Sequence, residues 1–206
     1  MTTTKNIIFD VSEVLTKRLH DQKWSNQLLA EEYGIPLSQI EAFFEEFIRV
    51  GGRVQGMSVE DFWNIKTVNM GTIPLSALVL STKRHENDLA VNEEMVELLK
   101  TLQPNYRLFA LTNAWKPGHP FKKDLEQYFE AFVQSCDIKL QKPDPAVFQY
   151  MLDTYNLTPK ETLFIDNKLK NTEVARTFKM EVFHFTNTSS LIENLRELKV
   201  LITSSV

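Results

Sequence analysis

The chain has 206 residues, of which 43% are hydrophobic and 24% charged, and its formal net charge at pH 7 is −4. This length suits one domain with a sizeable insertion, or two small domains that share a core. The acidic balance argues against nucleic-acid binding. No apolar run approaches the roughly 20 residues that span a bilayer, and the N-terminus lacks a signal peptide's apolar centre. Cys136 is the single cysteine, which excludes a disulfide within the chain. We expect a cytoplasmic protein that binds neither nucleic acid nor membranes.

Short apolar runs bounded by turn residues predict strands. The runs are residues 7–9, 108–111 and 163–165, with weaker ones at 131–134 and 182–185. Helical patterns lie between the later runs, and one of them begins at the predicted N-cap Asn92 and ends before Pro104. Strands that alternate with helices predict an α/β fold, with a doubly wound parallel sheet covered on both faces.

Residues 17–89 interrupt this alternation with a series of helical patterns. Two of the patterns begin with predicted capping boxes, at Ser38 and at Ser58. Their aromatic residues are expected to form a separate small core. We therefore predict an α/β core of residues 1–16 and 90–206, with a helical cap of residues 17–89 inserted after the first strand.

Polar side chains follow three of the predicted strands. Asp10 ends the first apolar run, Thr112 and Asn113 end the second, and Asp166 ends a later one. Lys142 lies in a loop between strands, directly before a proline. Ligands of doubly wound sheets bind beyond the carboxyl ends of the strands. We expect these side chains to converge in one cleft beneath the cap, with the carboxylates of Asp10 and Asp166 close enough to share one cation.

In this order, Asp10, Thr112, Lys142 and Asp166 resemble the four motifs of the haloacid dehalogenase (HAD) superfamily. The sequences around them agree, since "KPDPAVFQYML" and "LTPKETLFIDN" are similar to the third and fourth motifs of that family. The predicted helical insertion is similar to the family's type 1 cap. The chain as a whole resembles the family's small-molecule phosphatases that carry a variant first motif, which implies a Rossmann-like core.

The resemblance implies a magnesium-dependent hydrolase whose substrate is a small phosphorylated metabolite, such as a sugar phosphate. Asp10 would attack phosphorus and form an aspartyl phosphate, which divides one difficult step into two. Asp10, Asp166 and the backbone carbonyl of Ser12 would hold the magnesium ion, which prefers oxygen ligands. Each of the two carboxylates also has a structural alternative, since an Asp after a strand often caps the following helix.

Three further residues are implied to bind the phosphoryl group. The Thr112 hydroxyl and the Asn113 amide would donate hydrogen bonds to its oxygen atoms, and Lys142 would neutralise charge on the nucleophile and the phosphate. The alternatives are a local turn built by the Thr112 and Asn113 side chains, and a solvated loop charge at Lys142.

Ser12 departs from the family pattern, because the residue two after the nucleophile is usually an Asp that acts as general acid and base. A hydroxyl does not titrate near neutral pH, and general acid–base catalysis contributes about 10²–10⁴-fold. Glu13 is the neighbouring carboxylate, but adjacent side chains of an extended chain point to opposite sides. Asn167 replaces a second common acid and lowers the negative charge at the metal site. Asn171 matches a later position of the fourth motif, and a role as helix N-cap explains it equally well.

Three functions are compatible with this pattern. The first is the magnesium-dependent phosphatase. The second is a 2-haloacid dehalogenase, because halide leaves without a proton, although such enzymes work without metal and generally lack an acid at the position of Asp166. The third is a binding or regulatory protein that retains the scaffold with weak or no turnover. Asp166 favours the first over the second, and the intact Asp10 and Lys142 favour it over the third.

Overall fold

A computed structural model describes residues 4–20, 24–66 and 73–201. The strands within them are β1 (Asn6–Phe9), β2 (Thr16–Arg18), β3 (Leu89–Val91), β4 (Arg107–Thr112), β5 (Ala131–Gln134), β6 (Thr162–Asp166) and β7 (Glu181–His184). The α-helices are α1 (Trp24–Tyr33), α2 (Leu37–Glu46), α3 (Val59–Lys66), α4 (Leu75–Asn87), α5 (Glu93–Leu102), α6 (Lys122–Leu125), α7 (Ser135–Ile138), α8 (Pro145–Thr154), α9 (Leu169–Thr177) and α10 (Thr188–Glu197). Within the described ranges no helix has the length and apolar character needed to cross a membrane.

Five of these strands form one parallel sheet in the order β5-β4-β1-β6-β7. The central strand β1 is fully buried, and a parallel strand with both faces covered need not alternate apolar and polar residues. In the register, Phe9 pairs with Ala110 of β4 and with Ile165 of β6. The predicted doubly wound α/β sheet is confirmed.

Two apolar layers cover the faces of this sheet. Ile7 and Phe9 point into one layer, which includes buried residues of α5 and α10. Ile8 points into the other, which includes buried residues of α8 and α9. Since neighbouring residues of a strand face opposite sides, the single run 7–9 supplies both layers and fixes β1 in the middle of the fold.

The helices α1 to α4, here called the inserted helices, have a third apolar cluster of their own that includes Leu29, Phe43 and Phe62. They are connected to the sheet through an antiparallel ribbon of β2 and β3, in which Thr16 pairs with Val91. The sequence did not predict this ribbon, because each strand has only three residues. The predicted limits of core and cap fall inside the ribbon, and the division into these two units stays a prediction.

The two predicted capping boxes have different outcomes. At Ser58, the backbone N–H of Asp61 donates to the Ser58 hydroxyl (3.0 Å) and the Ser58 N–H donates to the Asp61 carboxylate (3.3 Å), so that box is confirmed. The box at Ser38 is wrong. Helix α2 begins at Leu37, and Pro36 occupies the N-cap position without a side-chain cap to described residues. Because Leu37 is already helical, Ser38 lies inside the first turn.

Candidate active site

Register places the ends of three adjacent strands at one level of the sheet. Asp10, Leu111 and Asp166 each come one residue after the paired positions 9, 110 and 165. The ammonium group of Lys142 donates hydrogen bonds to all three: to Asp10 Oδ1 (2.7 Å), to the Leu111 carbonyl (2.6 Å) and to Asp166 Oδ2 (2.8 Å). Both carboxylates therefore bond one cation, the Lys142 ammonium, and the expectation that they also share a metal ion stays a prediction.

This cluster is buried, with exposed fractions of 6% for Asp10, 3% for Lys142 and 0% for Asp166. Burial raises the pKa of Asp10 to about 6, the Lys142 ammonium opposes that shift, and the Asp166 carboxylate adds to it. Burial by itself would lower the pKa of Lys142, but the two carboxylates outweigh it and the pKa is raised. Lys142 is therefore a permanent positive charge between the two carboxylates.

Asn113 fixes the loop that carries Lys142. Its side-chain amide donates to the Lys142 carbonyl (2.8 Å) and accepts from the Lys142 N–H (2.9 Å). The helix that follows this loop, α8, is capped by the Asp144 side chain, which accepts from the Ala146 N–H. The sequence predicted Asn113 as a ligand of the phosphoryl group, whereas both polar atoms of its side chain here hold the backbone of Lys142.

Asp166 is held by the start of α9. Its Oδ1 accepts from the Lys168 backbone N–H (2.8 Å), and the Asn171 amide donates to both of its carboxylate oxygens at 2.9 Å. Asn171 lies inside α9, whose N-cap position is Lys168, so the N-cap alternative for Asn171 is wrong. The Oδ1 atoms of Asn171 and Asn167 are buried without hydrogen-bond partners within the described part of the chain.

Thr112 lies beside the same cluster at the end of β4. It is 1% exposed, and its hydroxyl is buried with no hydrogen-bond partner among the described residues. A buried hydroxyl without a partner is costly. Thr112, Asp10, Ser12, Lys142 and Asn171 all line one cavity of about 140 Å³, so a ligand in that cavity would contact Thr112.

The chain turns immediately after Asp10. The Leu15 N–H donates to the Val11 carbonyl (2.9 Å), and Glu13 has a φ of 64°. The sequence interpretation assumed an extended chain at Glu13, but Glu13 lies in a turn. Its carboxylate accepts hydrogen bonds from Arg18 (2.9 Å), from Asn167 (3.1 Å) and from Lys168 (3.2 Å), and these bonds join the first loop to the loop after β6.

A second cavity of about 280 Å³ adjoins the first, since the two share Ser12, Arg53, Asn113 and Lys168 in their linings. Arg53 follows a π-helix, Phe47–Gly52, that continues α2. Its Nε is buried without a hydrogen-bond partner in the described ranges. Burial lowers the pKa of Arg53, while the negative charge of Asp10 acts in the opposite direction. The inserted helices thus bring a guanidinium group to the cleft that holds Asp10.

Sequence reasoning missed Arg53 and His119 as residues of this cleft. Arg53 stands in a glycine-rich stretch, "VGGRVQG", that carries no catalytic motif. His119 lies in the loop after β4, is 8% exposed and lines the larger cavity. Burial lowers the pKa of His119 to about 4. The sequence offers one weak signal for both: each residue directly follows a glycine, Arg53 after a predicted helix and His119 in the loop after a predicted strand.

Comparison with known proteins agrees with this fold. The family model described as haloacid dehalogenase-like hydrolase matches residues 4–178. A crystal structure of a HAD family enzyme from Bacteroides thetaiotaomicron, in complex with magnesium and inorganic phosphate, superposes with a TM-score of 0.73 at 20% identity, covering 91% of this chain and 98% of that one. The chain belongs to the haloacid dehalogenase-like hydrolases, and the resemblance to this superfamily is confirmed.

Two curated relatives share parts of the sequence. Bifunctional epoxide hydrolase 2 of Mus musculus is 31% identical over 75 residues, which are 36% of this chain and 14% of the mouse protein. D-ribitol-5-phosphate phosphatase of Bacteroides thetaiotaomicron is 24% identical over 102 residues, which are 45% of this chain and 50% of that enzyme. The matches thus span half or less of each relative.

Proposed function

We propose that this protein is a magnesium-dependent phosphatase of small phosphorylated metabolites, with Asp10 as the nucleophile. The observation that carries the proposal is the buried cluster in which Lys142 bonds both Asp10 and Asp166 at the floor of a cavity. A phosphate ester needs a nucleophile and fixed positive charge to absorb the charge of the transition state. The name of the ribitol-phosphate phosphatase relative supports the same reaction class.

In the proposed reaction, an Asp10 oxygen attacks phosphorus, the bond to the leaving oxygen breaks, and water later releases phosphate from Asp10. Lys142 neutralises the attacking carboxylate and holds it in place. The Thr112 hydroxyl, which is buried without a partner among described residues, donates to a phosphoryl oxygen. Arg53 adds positive charge from the side of the inserted helices, which act as the substrate-selecting cap.

The residues of the cleft fit magnesium. Asp10, Asp166 and the Ser12 carbonyl would hold it with oxygen atoms, the ligand type that the ion prefers. The buried Asn171 Oδ1 adds an oxygen without a hydrogen-bond partner in the described residues, on the side chain that bonds Asp166. Bound magnesium would supply positive charge beside the transferring phosphoryl group.

The direct test is a screen of phosphate release from a panel of sugar, polyol and nucleoside phosphates, with magnesium and with a chelator. We expect release from at least one ester, dependent on magnesium. Halide release from a 2-haloacid without metal would instead establish the dehalogenase. Binding of a phosphorylated metabolite without release of phosphate or halide would establish the binding protein.

We expect weak magnesium binding that depends on Asp166. The proposed ligand set contains only two carboxylates. Among the residues that the structure describes, no group of three His, Cys, Asp or Glu side chains could hold a metal ion. Asp166→Asn should weaken the affinity measured by titration calorimetry by about tenfold or more. Asp144→Asn, an equal change at an exposed helix cap, should leave the affinity unchanged. Wild-type affinity in Asp166→Asn would place the ligands elsewhere.

A carboxyl group at position 12 should restore the proton donor that the family's phosphatases use. Ser12→Asp is expected to raise kcat for alkyl phosphates more than for p-nitrophenyl phosphate, by up to the ~10²–10⁴ range of general acid catalysis. p-Nitrophenol leaves without a proton, whereas an alcohol does not. Ser12→Asn, which has similar size and no transferable proton, is the control. An equal change on both esters would show that the wild type lacks no proton donor.

A further inference from the structure

The loop after β4 brings a buried histidine to Ser12. His119 Nε2 lies 3.4 Å from Ser12 Oγ. Both residues line the cavity of about 280 Å³, and Ser12 also lines the cavity of about 140 Å³ that contains Asp10 and Lys142. Ser12 thus lies at the boundary between the cavity of the nucleophile and the space beside it, which would receive the leaving group of a substrate.

Contacts from β5 hold this histidine in place. The His119 backbone N–H donates to Gln134 Oε1 (2.7 Å), and Gln134 in turn donates to Asp137 (2.8 Å). The preceding Gly118 has a φ of 121°, and a Cβ there would lie 2.9 Å from Gln134 Oε1. Glycine permits this close approach, so the position of His119 is set by a buried side chain of the sheet.

The hydrogen bonds of the ring define its tautomer. The Phe121 backbone N–H donates to His119 Nδ1 (3.3 Å). A backbone N–H can only donate, so Nδ1 is an acceptor and the ring hydrogen of neutral His119 is on Nε2. Nε2 therefore donates to Ser12 Oγ. Because a hydroxyl has one hydrogen of its own, that hydrogen is left for an acceptor in the cavity.

We propose that Ser12 and His119 together form a hydrogen-bond donor for the leaving-group oxygen of the substrate, with His119 as the positioning residue. The inference rests on the proposed phosphatase function. When the bond between phosphorus and the leaving oxygen breaks, its electron pair stays on that oxygen, and the Ser12 hydroxyl donates a hydrogen bond to it. His119 gains and loses no proton, and solvent water protonates the released alkoxide. A donor that is oriented in advance stabilises such developing charge.

Kinetics of paired variants test the positioning role. His119→Ala should reduce kcat for the best alkyl phosphate of the screen about tenfold more than kcat for p-nitrophenyl phosphate, since one oriented hydrogen bond is at stake. His119→Gln, which retains a side-chain N–H donor, should restore most of the loss. In a Ser12→Ala background, His119→Ala should add little, because the two residues act as one unit. Equal losses on both esters, or additive losses, would overturn the proposal.

Nitrogen NMR of the histidine side chains gives a second readout that needs no activity. We expect the Nε2–H tautomer at His119 in the wild type, and a shift of its Nε2 resonance in Ser12→Ala. A His119 ring with its hydrogen on Nδ1 would overturn the proposal, even in an active enzyme. A wild type that releases no phosphate from any ester, but shows the Nε2–H tautomer and the Ser12-dependent shift, would overturn the proposed function while the Ser12–His119 bond stands.

Discussion

Asp10→Asn is expected to reduce phosphate release by about 10⁴-fold or more, because an amide cannot attack phosphorus and removal of a covalent nucleophile has effects of this size. The fold should survive. Burial raises the pKa of Asp10 to about 6, above its ordinary value, so at neutral pH the ionised carboxylate is less stable in the folded protein than in the unfolded chain. A neutral side chain of the same shape removes that penalty. The thermal midpoint at pH 7 should therefore not fall.

The matched control is Asp144→Asn, the same chemical change two residues after Lys142. Asp144 is exposed and caps α8 through Ala146, and asparagine caps helices as well as aspartate does. This variant should keep wild-type phosphate release. Release by Asp10→Asn within tenfold of wild type would mean that the nucleophile is another group.

Lys142→Met should lower stability and activity together. Methionine has a similar length but leaves Asp10 and Asp166 buried without the ammonium that both now bond. Removal of the cation leaves both buried carboxylates uncompensated, which costs about 3–5 kcal/mol, whereas Asp10→Asn leaves Lys142 paired with Asp166. Without Lys142 the pKa of Asp10 rises further above its unfolded value. The lost stability should therefore be largest above pH ~6 and shrink as the pH falls and the carboxyl group binds a proton.

Urea unfolding at pH 5 and pH 8 measures this difference, and phosphate release should fall by about 10²-fold or more. Lys170→Met is the control for stability, because Lys170 lines the same cavity but is exposed. Its free energy of unfolding should change by no more than about 0.5 kcal/mol. A Lys142→Met protein as stable as the control at pH 8 would contradict the role assigned to the buried ammonium.

The sequence predicted the positions of the strands and of the charged cluster because both follow from local patterns. Apolar runs buried on two faces mark β1, β4 and β6. Polar residues at the ends of parallel strands must meet at one edge of the sheet. Asp10 and Asp166 could therefore be placed together from the sequence, and the resemblance to the third family motif added Lys142 to them.

Contacts between distant loops could not be predicted in this way. The bonds of Glu13 to Asn167 and Lys168, and the contact of His119 with Ser12, join segments that are far apart in sequence. The spacing of residues along the sequence does not indicate which of these distant residues come into contact. The Ser38 capping box failed for a different reason, since the pattern of a serine followed by a glutamate does not specify whether Leu37 is already helical.

Because β1, β4 and β6 end at one level of the sheet, the cluster at their ends does not depend on the length of the chain segments that connect them. Asp10, the Leu111 carbonyl and Asp166 meet Lys142 because of strand pairing, and none of these three bonds involves the inserted helices. The inserted helices are connected to the rest of the chain through β2 and β3. These two strands pair with each other, so the two ends of the insertion lie side by side. We therefore expect the segment to be exchangeable: a graft of another helical insertion between Arg18 and Leu89 should change the residues that line the cleft, while Asp10, Lys142 and Asp166 remain in place.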